Sequence, residues 1–422
     1  MKGIGINPFS VVSAAEPNTR KAPFFPPFPR LLPPNPSHPL SPPINPPRAN
    51  PNPNPSSEKR PTYSTALTSQ AWAAAGEMVG KSGGGVAEEG GAAAAAAAVR
   101  RWVEAGGGRL VMDGGLATEL EANGADLNDP LWSAKCLLSS PHLIRKVHLD
   151  YLEAGANIII TASYQATIQG FESKGFSKEQ SEDLLAKSVE IAREAREVFL
   201  KEHSDRAMQH PILVAASIGS YGAYLADGSE YSGDYGEAGT LEFLKDFHKR
   251  RLEVLAGAGP DLIAFETIPN KLEAQAYVEL LDECNISIPA WFSFNSKDGV
   301  HIVSGDSLIE CATIANGCSK VGAVGINCTP PRFIHGLILS IRKVTDKPIL
   351  IYPNSGERYD AEKKEWVEST GVSDGDFVSY VNEWCKDGAV LIGGCCRTTP
   401  NTIKAISRSL NQRHSAPRSP VA

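Results

Sequence analysis

Eight short apolar runs, each followed by an amphipathic stretch, predict a (β/α)8 barrel of the TIM type between residues 101 and 412. Two further observations point the same way. The runs are continuously apolar rather than alternating, as in parallel strands covered on both faces. Polar and sulfur-bearing residues collect where the runs stop, and in a barrel all those stops meet at one face.

The first run, 109–113, ends at Asp113 ahead of Gly-Gly-Leu-Ala-Thr. This segment lacks the G-x-G-x-x-G spacing, and its acid precedes the glycines, which argues against the open doubly wound sheet that is the other way to arrange such units. A helical pattern over 141–154 leads to the second run, 157–164, closed by Tyr164. Helix 178–202 precedes run 212–218 with Ser220 beyond it, and helix 241–258 precedes run 261–267, which carries Glu266. Helix 271–284 leads to run 290–295 and Asn295. Helix 307–317 leads to run 321–328, which closes on Asn327 and Cys328. Helix 332–344 and run 349–354 follow, then helix 374–386, run 390–395 ending at Cys395 beside Cys396, and a last helix over 399–410.

The chain carries a formal charge of −7. No basic stripe in the body would serve as a footprint on a phosphate backbone, so nucleic acid is not an expected partner. No apolar run approaches the ~18 residues of a membrane span. A monomer is expected. Residues 1–100 are rich in Pro, Asn, Ser, Gly and Ala and read as a disordered leader, with 413–422 as a flexible tail. Up to residue 60 the leader is basic, with acids only at Glu16 and Glu58. Either it is a transit peptide, implying a chloroplast location, or Met78 is the usual start, implying a cytoplasmic one.

The eight cysteines do not sit in loops at the spacings of a secreted disulfide framework. Cys136, Cys284, Cys311, Cys318 and Cys385 lie on or beside helices and read as small buried hydrophobes. Cys328, Cys395 and Cys396 are different. They close two strands that a barrel brings to the same rim, and three thiolates favour a zinc ion with its fourth position open. Gly393-Gly394 is expected to bend the backbone so that both adjacent sulfurs reach one ion. A zinc bound by three thiolates is a poor source of hydroxide, but it deprotonates a fourth thiol at neutral pH, where a free alkyl thiol with a pKa near ~8.5 stays protonated.

The segments Asp113-Gly-Gly-Leu-Ala-Thr-Glu-Leu, Leu131-Trp-Ser-Ala, His148-Leu-Asp-Tyr, Thr161-Ala-Ser-Tyr-Gln-Ala-Thr, Phe265-Glu-Thr, Gly325-Ile-Asn-Cys and Gly393-Gly-Cys-Cys-Arg together resemble the homocysteine S-methyltransferase family. The likeness spans about 109–410. It implies that Cys328, Cys395 and Cys396 are zinc ligands, that homocysteine is the methyl acceptor and a sulfonium compound the donor, and that methionine is the product. The segment 217–231 is similar to members that use S-methylmethionine, or S-adenosylmethionine less well, rather than betaine. Asp113 and Glu266 match the positions that contact the amino group of homocysteine. Tyr164, Tyr221, Tyr224 and Trp132 are aromatic candidates for the donor's positive charge. Asn327 is expected to steady the site by hydrogen bonding, and Arg397 either to anchor a substrate carboxylate or to pair with a neighbouring acid.

Three rivals remain. A methyltransferase using betaine would share the fold. A cobalamin-dependent one would need a corrinoid module for which no segment remains. A non-enzymatic zinc or redox module would need a fourth protein ligand or a cycling disulfide, and three sulfurs suit neither.

Overall fold

The computed structural model describes residues 94–203, 210–360, 365–367 and 371–414. The leader up to residue 93 and the tail from 415 lie outside the described residues. The eight expected runs all form strands of one parallel sheet: β1 (Leu110–Val111), β2 (Ile158–Ile160), β3 (Leu213–Ile218), β4 (Leu262–Ile268), β5 (Ala290–Phe294), β6 (Val321–Asn327), β7 (Ile349–Tyr352) and, after a short antiparallel ribbon of β8 (Arg358–Asp360) and β9 (Glu365–Val367), β10 (Ala389–Ile392). Their order is β1-β10-β7-β6-β5-β4-β3-β2. The seam between β1 and β2 is closed by a parallel bridge, Met112 to Ile158, with Asp113 N donating to the Ile158 carbonyl at 2.9 Å and Asn157 N to that of Val111 at 2.7 Å. The barrel is therefore a complete ring.

Its core has two layers because successive strand residues face opposite ways. Leu110, Met112, Leu213, Leu262, Trp291, Leu350 and Leu391 fill the interior, while Val111, Val214, Ile263, Phe292, Val324 and Ile351 meet the surrounding helices. Small residues at Ala215, Ala264, Ala323 and Gly325 leave interior room for Trp291 and Tyr352, whose indole N–H and hydroxyl are 3.2 Å apart. Gly325 has a further reason. A Cβ there would overlap the carbonyl oxygen of Leu350, so β6 and β7 close up only with glycine at this point.

The helices on the outside begin where the caps say they should. Ser177 and Gln180 form a reciprocal capping box ahead of the helix Lys178–Glu202, and Asn270 accepts from Glu273 N at 2.8 Å to start Lys271–Glu283. Gly155, at φ 112°, ends Pro141–Ala154 in the left-handed conformation that glycine adopts without strain.

Two boundaries differ from expectation. A helix, α1 (Ala94–Ala105), occupies the last positions assigned to the leader. Its alanine run has the highest intrinsic helix propensity, and Val99 and Val103, one turn apart, join the interior cluster of Leu110 and Met112. At the other end the final helix, Pro400–His414, runs into the expected tail. Most strands are also shorter than the apolar runs, so Asp113, Tyr164, Cys328 and Cys395 stand beyond strand ends.

Candidate active site

The rim at the strand C-termini gathers the sulfurs. The ligand atoms of Cys328, Cys395 and Cys396 all lie within 4.8 Å of one another, and the Cys395 and Cys396 sulfurs are 4.0 Å apart. That gap is about twice an S–S bond, so the pair is not a disulfide. Strand β7 lies between the two cysteine-bearing strands and spaces them. Cys328 N donates to Tyr352 O, Cys395 N to Pro353 O at 2.7 Å, and Ser355 N to Cys396 O at 3.0 Å.

The left-handed backbone positions beside the cluster are not at the two glycines. Neither Gly393 nor Gly394 has a positive φ; Cys328 at 45° and Arg397 at 64° do. The two glycines serve close approach instead: a Cβ on Gly393 would lie 2.6 Å from Met112 Cβ, and one on Gly394 would strike Thr398. The three thiols share their protons unevenly. Hydrogen bonding from Cys328 and then Cys395 holds Cys396 well below the usual thiol range, whereas the same contacts and burial push Cys395 above it. Of the remaining five cysteines four are buried, as small apolar side chains would be.

Asp113 and Glu266 are both buried at this mouth. Asp113 accepts from Ile160 N at 2.8 Å through Oδ2, but its buried Oδ1 has no hydrogen-bond partner among the described residues. Burial lifts its carboxyl well above the usual range against that bond, with the charge of Glu266 adding. Glu266 accepts from the Ser217 hydroxyl. Burial raises Glu266 to about 7, opposed by its bonds from Ser217 and Tyr352 and assisted by Cys396. Two carboxyls deprived of water, one with an idle oxygen, are arranged for an incoming cation.

Asn327 does not touch the sulfurs. Its amide accepts from Thr267 N at 2.9 Å and donates to Thr267 Oγ1 at 2.7 Å, fixing a β4 residue held at φ 58°. Arg397 donates to Glu357 at 2.6 Å, so it pairs with a neighbouring acid. Tyr164 stands edge-on to Trp132, and its phenol is raised by burial with Glu230 and Cys328 close enough to add. Tyr221, on the short helix after β3, packs with Tyr224, Tyr235, Phe243 and Phe247.

Sequence reasoning missed Glu230 and Tyr231. They lie in a 3-10 turn (Ser229–Tyr231) where the charge of Cys396 acts on both side chains and that of Cys328 on Tyr231. Their one signal was membership of the long polar segment after β3, which names no residue. It also missed Arg251, a fully buried guanidinium that donates to the carbonyls of Ser163, Tyr164 and Gly219 and so ties the ends of β2 and β3 together.

A parallel barrel whose mouth converges three cysteine sulfurs on buried carboxylates is the frame of a thiol-handling enzyme. The model of the homocysteine S-methyltransferase family matches residues 110–410. Homocysteine S-methyltransferase 2 of Zea mays is 90% identical over 315 residues, covering 74% of this chain and 93% of that one. Selenocysteine Se-methyltransferase of Brassica oleracea var. italica is 70% identical over 314 residues, covering 73% and 91%. The metallated form of the homocysteine methyltransferase MmuM from Escherichia coli superposes with a TM-score of 0.63 at 44% identity, over 71% of this chain and 96% of that one. The chain belongs to the homocysteine S-methyltransferase family and is a methyltransferase.

Proposed function

We propose that this enzyme moves a methyl group from S-methylmethionine to homocysteine, giving methionine, with a zinc ion held by Cys328, Cys395 and Cys396. The observation that carries the reading is the three-sulfur cluster. Tetrahedral zinc with Zn–S bonds of ~2.3 Å sets its sulfurs about 3.8 Å apart, and the 4.0 Å between Cys395 and Cys396 suits that edge. All three donors are soft thiolates, which select zinc over the hard cations. When bound, zinc supplies a low thiol pKa, so that homocysteine reacts as its thiolate at neutral pH. A metallated structure among the relatives is consistent with this.

The chain's own residues do the positioning. Asp113, through its idle Oδ1, and Glu266 receive the ammonium of homocysteine and so aim its sulfur at the cluster. Tyr164 and Trp132 present aromatic surface to the donor's sulfonium. Tyr221, only partly buried among Tyr224, Phe243 and Phe247, adds a third ring to that surface. Donors are bound in a mouth roofed by the turn at Ser229–Tyr231.

The test is a steady-state assay with S-methylmethionine, S-adenosylmethionine and betaine on the wild type and on Cys396→Ser, with zinc measured in both. The expected result is one zinc per chain in the wild type, preference for S-methylmethionine, and loss of transfer in the variant. A fully active variant, or transfer from betaine alone, would overturn the reading. The resemblance to the Brassica selenocysteine enzyme favours selenocysteine as a second acceptor, and a selenolate is a still softer ligand for the same position. Competition between the two acceptors in one assay tests it.

A further inference from the structure

The segment that leaves β3 runs as a short helix, Tyr221–Leu225, started by Ser220, and then turns back on itself. Gly222 makes the return possible, since a Cβ there would collide with the backbone of Ser229 and Glu230. Asn295, at the end of β5, donates to Glu230 O at 3.0 Å and pins the turn over the mouth. Glu273 grips the segment at both ends. It accepts from Tyr221 N and from the Tyr235 hydroxyl, each at 2.6 Å, and also from His248 at 2.8 Å. The turn is thus rigidly presented.

At its tip a carboxylate oxygen, Glu230 Oε2, is buried without a hydrogen-bond partner among the described residues, and so is Asn295 Oδ1. An unpaired buried carboxylate is costly unless a cation completes it. The charges of Asp227 and then Cys396 act on Glu230, and its own charge acts on Tyr231 and on Tyr164, the ring proposed above to meet the sulfonium. Both substrates of the proposed reaction are amino acids, so two ammonium groups need partners, and Asp113 with Glu266 accounts for one.

We propose that Glu230, with Asn295 beside it, binds the α-ammonium of the sulfonium amino acid that donates the methyl group; this rests on the function proposed above. Ammonium rather than sulfonium follows from the energetics of transfer. The sulfonium loses its charge as the methyl group leaves, so a carboxylate placed on it would stabilise the reactant more than the transition state. The ammonium keeps its charge throughout, so a carboxylate there stabilises both equally and acts on binding alone.

The experiment compares full-length wild type with Glu230→Gln and Glu230→Asp. Two donors are used: S-methylmethionine and its deaminated analogue, dimethylsulfoniobutyrate. Loss of one charge-assisted contact should raise the S-methylmethionine KM of Glu230→Gln by at least about tenfold. Its kcat and homocysteine KM should hold, and Glu230→Asp should recover part of the loss. With the deaminated donor the wild type and Glu230→Gln should not differ, which a merely structural effect would not reproduce. An unchanged S-methylmethionine KM would overturn the assignment, as would a rise confined to homocysteine or an equal loss with both donors. All three leave methyl transfer by the wild type standing. A wild type that transfers nothing from S-methylmethionine would instead remove the function on which the assignment rests.

Discussion

Asp113 shows how one side chain is split between building and binding. Oδ2 secures β1 to β2 through Ile160 N, while Oδ1 waits. Asp113→Asn keeps the shape and removes the charge. The homocysteine KM should rise at least about tenfold, the scale of one charge-assisted hydrogen bond, with the donor KM unmoved; equal changes in both constants would contradict the assignment. His148, far from the sulfurs in sequence, makes a different prediction. It is buried with both ring nitrogens unpartnered, and burial holds it at about 4 rather than 6.5. As pH falls through 6.5 the unfolded chain takes up a proton that the folded chain refuses until about 4. The stability due to this residue is therefore complete above pH 6.5 and drains away below it, by up to ~1.4 kcal/mol per pH unit. Denaturant unfolding at pH 7 and pH 5 should show a smaller acid loss in His148→Leu than in the wild type. Equal losses would mean that another group is responsible.

Among the elements, β6 is the most constrained. Gly325 lies against the Leu350 carbonyl three residues before Cys328, so Gly325→Ala has to part β6 from β7 and shift the first sulfur away from the other two. Unfolding free energy should drop by about 2 kcal/mol or more, as overpacked sites do, and bound zinc should fall with it. A variant with wild-type stability and metal would show that the strands give way more easily than their spacing indicates. The strands themselves were legible in the sequence, because continuous apolar character is a local property and eight repeats of it leave few arrangements. Helix α1 was not, because an alanine run beside glycines reads as low complexity; only the contact of Val99 and Val103 with the barrel floor distinguishes it. The three cysteines were legible since each follows a strand. Glu230 was not, since burial of a turn residue depends on chain that folds back from elsewhere.

For the whole molecule, a ligand that needs β6 and β10 held on either side of β7 binds the closed barrel and not the open chain. It must therefore stabilise folding by mass action. Treatment with a strong chelator should lower the melting temperature, and stoichiometric zinc should restore it; the Cys396→Ser protein should respond weakly to either. A wild-type melting temperature indifferent to both would detach the sulfurs from any metal. The order of the strands adds a constraint in time. Cys328 leaves the ribosome well before Cys395 and Cys396, and the latter reach it only when β10 slots between β1 and β7. A nascent or half-assembled chain thus offers at most isolated or paired thiols to passing metal and oxidant. Capture of the proposed ion would then be a late event, a certificate that the last stave of the barrel is seated.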